Sequence, residues 1–87
     1  MKIKPGFILR QLAGENVVVP VGAAGESFNG MIRLNETGVL LWRELSQGAE
    51  KEALAEKLLE TYGGITREQA LADVGEFLDS IRVALDG

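Results

Sequence analysis

The side chains that could do chemistry in this 87-residue chain are thirteen carboxylates, three serines, a tryptophan and a tyrosine. Paired carboxylates suit general acid–base work. Here the pairs Glu50/Glu52 and Glu56/Glu60 fall on polar faces of helical segments, the pattern of a solvated surface. Ser27, Ser46 and Ser80 have no histidine to activate them and no lysine at an S-x-x-K spacing. The chain has neither cysteine nor histidine. Disulfides, thiolate zinc sites and thiol nucleophiles are therefore excluded, and the commonest general base and transition-metal ligand is missing. The stretch GAAGES lacks the G-K-[ST] ending of a phosphate-binding loop, and GFILRQLAG contains no G-x-G-x-x-G. Trp42 and Tyr62 could stack on a ligand, but an aromatic in or at the edge of the core is the reading preferred here. The expectation is a protein without catalytic residues, cofactor or metal.

Length and charge narrow the class. The chain suits one domain over residues 1–87 with a modest core. Its 46% apolar and 25% charged residues are ordinary for a folded protein. MKIKPGF has no apolar segment after its basic residues, so it does not read as a signal peptide. No apolar run approaches the ~20 residues that span a bilayer, so a cytoplasmic location without membrane contact is expected. Residues 1–34 carry a net +2 and the remainder −6. An acidic second half disfavours nucleic acid, whose binding depends on clustered Lys and Arg.

The first half reads as strands. Residues 6–12 are β-rich, 13–16 (AGEN) signal a turn, and Val17, Val18, Val19 and Val21 form a β-branched run that Pro20 interrupts. After a loop at 22–27, residues 28–34 read as a third strand. Phe28, Gly30, Ile32 and Leu34 lie on one face, and Asn29, Met31 and Arg33 on the other. Gly30 is compatible with a bulge, a close packing contact or the approach of another backbone.

The second half reads as helices. Asn35 is a good N-cap, and Leu34 and Val39 stand at the spacing of a hydrophobic staple. A strand can thereby enter a helix with no loop between. This helix runs to about Ser46 and presents Gly38, Leu41, Trp42 and Leu45 on one face. A second helix, over residues 50–62, has no clear cap. A third opens at Thr66 with the T-x-x-Q capping box and carries a stripe from Ala70 through Leu71, Val74, Phe77, Leu78, Ile81 and Ala84 to Leu85. Three strands followed by three helices indicate an α+β fold, a three-stranded antiparallel sheet with a winged-helix-like arrangement.

Such a domain can bind without reacting. If the third strand is a sheet edge and the last helix lies beside it, the two form a groove. An extended peptide can then add as a strand, with backbone pairing for affinity and pockets for selectivity.

LNETGVLLW (34–42) resembles the PqqD family, peptide-binding domains also called RiPP recognition elements, in its L-N-x-T-G pattern with a tryptophan soon after. Phe28-Asn29-Gly30, the trio Leu54, Leu58 and Tyr62, and D-V-x-x-F-L-x-x-I from Asp73 to Ile81 are similar to the family in the same order. The resemblance runs from about Lys4 onward. It implies binding of the leader segment of a ribosomally synthesised precursor peptide and its presentation to a modifying enzyme, typically a radical SAM enzyme. By position it points to Met31, Ile32, Arg33 and Leu34 on the strand, and to Val74, Leu78, Ile81, Arg82 and Leu85 on the helix. The peptide is then expected to offer apolar and acidic side chains, toward Leu78 and Ile81 and toward Arg33 and Arg82. The alternative is a winged-helix nucleic-acid binder, for which a salt-sensitive shift on duplex DNA is the discriminating observation.

Overall fold

The computed structural model describes residues 1–28 and 30–86. Strands β1 (Lys2–Ile3), β2 (Phe7–Leu12) and β3 (Glu15–Pro20) come first. The one-turn helix α1 (Ala24–Ser27) precedes β4 (Ile32–Leu34). Helices α2 (Glu36–Ser46), α3 (Lys51–Thr61) and α4 (Arg67–Ser80) follow, then a 3-10 turn (Arg82–Ala84) and β5 (Leu85–Asp86). The architecture is α+β, with the antiparallel sheet ordered β2-β3-β4 and a separate antiparallel pair of β1 with β5.

The β2–β3 hairpin turns on Ala13-Gly14, with Leu12 opposite Glu15. Both turn residues have positive φ, 51° and 81°, as a two-residue type I′ turn demands. The turn is thus tighter than the expected AGEN loop. Alanine pays about 1–2 kcal/mol for a left-handed backbone that asparagine adopts more readily. Ala13→Asn is therefore expected to raise stability by about 0.5–1 kcal/mol, read as a higher urea midpoint. An unchanged or lower midpoint would show that the turn is not the strained element.

Pro20 ends β3 rather than interrupting it. It pairs with Phe7 of β2, while β4 reaches only as far as Val18, opposite Ile32. The prolyl nitrogen therefore has no third strand to serve. Segment 28–34 is a strand only over Ile32–Leu34. Phe28 instead caps the C-terminus of α1, and its ring packs against Phe7 at 6.2 Å between centroids. Asn29 lies outside the described residues. A Cβ at Gly30 would come within 3.1 Å of Phe28 Cζ, so Gly30 makes room for that ring.

Leu34, Asn35 and Glu36 join β4 to α2 directly. The Asn35 Oδ1 accepts the Gly38 N–H at 2.8 Å, and Leu34 lies so close over the first turn that a Cβ at Gly38 would meet its Cβ at 3.2 Å. α3 begins after Glu50 with no side-chain cap. It ends at Thr61, one residue before Tyr62, which has extended dihedrals and is 37% exposed. The capping box is present at α4. Thr66 Oγ1 accepts the Gln69 N–H, and Gln69 Oε1 accepts the Thr66 N–H, both at 3.1 Å. Thr66→Ala is expected to cost about 1 kcal/mol, measured by the same urea transition. A loss below a few tenths would mean that the box does not hold this helix end.

The core gathers Leu41, Trp42 and Leu45 of α2, Leu54, Ala55 and Leu58 of α3, and Ala70, Val74 and Phe77 of α4 against Val18 and Leu34 of the sheet. Ion pairs Glu44–Lys57 and Glu56–Arg67 tie α2 to α3 and α3 to α4 on the surface. The last helix stops short of the stripe's expected end at Leu85. Ile81 and Ala84 still enter the core. From Arg82 onward, however, the chain tightens and pairs with β1, Ile3 opposite Leu85 and Lys2 opposite Asp86, while Lys4 N–H bonds Ala84 O at 2.7 Å. Backbone pairing with a distant strand outweighs one more helical turn. Among the described residues no helix is long and apolar enough to cross a membrane.

Candidate peptide-binding cleft

β4 is an edge strand, with β3 on one side and, among the described residues, no strand on the other. An open cleft of about 360 Å³ lies between β4 and α4. Arg33, Leu34 and Asn35 line one wall, and Asp73, Glu76, Phe77 and Ser80 line the other. Thr37 and Gly38, in the first turn of α2, also line it. Asn35 is held by its cap bond to Gly38. On α4 the four lining residues fall at i, i+3, i+4 and i+7, one face of a helix. A second hollow of about 330 Å³ adjoins the first and shares Thr37 and Asp73 with it. Leu58, Tyr62 and Ile65 supply its apolar lining, and Thr37 Oγ1 donates to Tyr62 Oη at 3.3 Å across it.

Of the strand half of the expected set, Arg33 and Leu34 line this cleft; Ile32 does not, and Met31 precedes β4 and is 54% exposed. Ile32 and Leu34 face the core, so Arg33 between them occupies the opposite sheet face, opposite Val17 in register. Its Nε lies 3.7 Å from Glu15 Oε2.

The helix half of the set differs from expectation. Val74 and Ile81 are 0% exposed and belong to the core, so they offer a peptide no surface. Leu78 is half-buried against that core and does not line the cleft. Arg82 lies in the 3-10 turn, where it pairs with Asp79 at 2.7 Å. Leu85 lies in β5. The wall is rotated from the expected one: Val74 and Ile81 are buried, and Asp73, Glu76, Phe77 and Ser80 line the cleft instead.

Signals for the missed residues existed in part. Asn35, Thr37 and Gly38 belong to the L-N-x-T-G segment, and Asp73 and Phe77 to D-V-x-x-F-L. Nothing local marked Glu76 or Ser80. The cleft's charge is also opposite to expectation on the helix side, where Asp73 and Glu76 stand with no ion pair among the described residues. The arrangement offers an unpaired strand edge, an apolar floor at Leu34 and Phe77, and an acidic wall. It holds no group of His, Cys, Asp or Glu suited to a metal among the described residues.

The family model described as Coenzyme PQQ synthesis protein D (PqqD) matches residues 15–84. Two solved structures share the fold. One, TbiB1 in complex with the TbiA(beta) leader peptide, is 20% identical over 94% of this chain and 88% of that one, with a TM-score of 0.74. The other, a lasso peptide synthetase B1 complexed with the leader peptide, is 22% identical over 93% and 88%, with a TM-score of 0.71. No curated protein matches the chain significantly.

Proposed function

We propose, from the premise that this chain belongs to the PqqD family, that it binds the leader segment of a ribosomally synthesised precursor peptide in the cytoplasm. It then presents that peptide to a modifying enzyme of the radical SAM type. The observation that carries this reading is the unpaired edge of β4 facing α4 across an open cleft. An added strand there gains backbone hydrogen bonds from β4 and side-chain contacts from α4, the two components of recognition by strand addition. The other sheet edge, β2, does not line this cleft. Both similar structures are complexes with leader peptides, which supports the choice of ligand.

The chain contributes binding, and the partner enzyme contributes the chemistry, since cysteine and histidine are lacking. Nucleic acid is disfavoured by the −6 of residues 35–87 and by the two carboxylates on the cleft's helix wall.

The test is amide NMR during titration with the leader segment of the precursor encoded nearest its gene. Binding is expected at about −8 to −10 kcal/mol, micromolar or somewhat tighter, after the cost of ordering the peptide. The amides of Ile32, Arg33 and Leu34 should shift together with those of α4, and one set of β4 amides should become protected from exchange. Shifts confined to β2, or none, would overturn the reading.

A further inference from the structure

We infer that the peptide segment pairing with β4 carries a lysine or arginine on its helix-facing side, set over Asp73 and Glu76, two residues from an apolar side chain set over Phe77. This rests on the leader-binding reading and adds the chemistry of the ligand to it. The cleft's eight side chains with functional groups or apolar bulk include two carboxylates, both on α4, and a single cation, Arg33. Arg33 belongs to the sheet face away from the core and lies beside Glu15. Among the described residues it forms no ion pair with Asp73 or Glu76. Lys51 approaches α4 at Gly75, which does not line the cleft.

Both carboxylates are exposed in the free protein, so water solvates them at little cost. A bound strand displaces that water and lowers the local dielectric. An acidic peptide side chain there meets like charge, whereas a basic one replaces the lost solvation with an ion pair. The spacing follows from geometry. From Asp73 to Ser80 the helix rises about 10 Å, the length of about three strand residues. Two helix-facing side chains of a strand fit that length, one against Asp73 and Glu76 and the next against Phe77 and Ser80.

The experiment selects random dodecapeptides from a display library on the immobilised full chain, then titrates synthetic copies by fluorescence anisotropy with amide NMR mapping. Enriched peptides are expected to shift β4 and α4 amides and to show Lys or Arg two residues from an aliphatic side chain. Changing that Lys to Glu is expected to weaken binding about tenfold or more, less so at high salt. A double variant, Asp73→Lys with Glu76→Lys, is expected to reverse the preference and bind the Glu peptide better. Circular dichroism reports its fold, and the isosteric pair Asp73→Asn with Glu76→Gln, expected only to abolish the preference, serves should the lysines unfold it. Peptides that shift β4 and α4 with no basic preference, or with an acidic one, overturn this inference and leave the leader-binding reading standing. Peptides that shift only other regions overturn both.

Discussion

Trp42→Ala is expected to lower the stability of the folded chain by about 3–5 kcal/mol. Trp42 is 4% exposed and shares the buried face of α2 with Gly38, Leu41 and Leu45. Removing the indole withdraws a large apolar area from the centre of the cluster and leaves a cavity that three helices and a sheet cannot all collapse into. A domain of this length starts with little reserve, since small domains bury a smaller share of their surface and total stabilities run about 5–15 kcal/mol. The variant should therefore be partly unfolded at room temperature or lose most of its urea midpoint by circular dichroism. The Ser46 hydroxyl bonds the backbone carbonyl of Trp42 at 2.9 Å, a contact that the substitution leaves intact, so the effect reports on packing. A midpoint equal to the parent's would place the indole outside the core and revive a ligand-stacking role for it.

Ser80→Trp is expected to leave the fold intact and to weaken leader binding about 100-fold or more, which is about 2.7 kcal/mol. Ser80 lines the cleft at the end of α4 and is exposed. Its hydroxyl donates to the Phe77 carbonyl of its own helix, at 2.7 Å. An indole at that position occupies the space that an added strand requires, while burying nothing in the core. Leu78→Glu makes the instructive contrast. Leu78 packs partly against the core and does not line the cleft. A charge there should lower the urea midpoint, because an unpaired charge is costly among apolar groups, with binding per folded molecule largely kept. Calorimetric titration of the leader into both variants, with circular dichroism on each, separates the two effects. If folded Ser80→Trp binds as the parent does, the cleft is not the site and the β2 edge becomes the candidate.

Local rules carried much of this fold. Asn35 and Thr66 were legible as caps because their bonds reach only three residues, to Gly38 and Gln69. The buried face of α2 was legible because it repeats at the helical period. That binding rather than catalysis is the role was an expectation drawn from composition, and the L-N-x-T-G segment pointed to the family that the match over residues 15–84 establishes.

The helix wall of the cleft was less legible. The stripe on α4 is apolar on two adjoining sides, and periodicity cannot say which side packs on α3 and which looks across at β4. Val74 and Ile81 went to the core, and Asp73, Glu76 and Ser80 went to the cleft. With that choice the sign of the wall changed as well.

By itself, then, the sequence determined where helices α2 and α4 begin, which residues of α2 turn inward, and that no thiol or imidazole is available for chemistry. Those properties depend on side-chain type and on contacts a few residues long. Only the tertiary structure decided that Leu85 and Asp86 pair with Ile3 and Lys2, that β4 is an edge only three residues long, and that α4 shows carboxylates to it. Each of these is a competition between alternatives that are nearly equal locally. It is resolved by partners more than eighty residues away in the case of β1 and β5, and by the packing of three helices on one sheet in the case of α4.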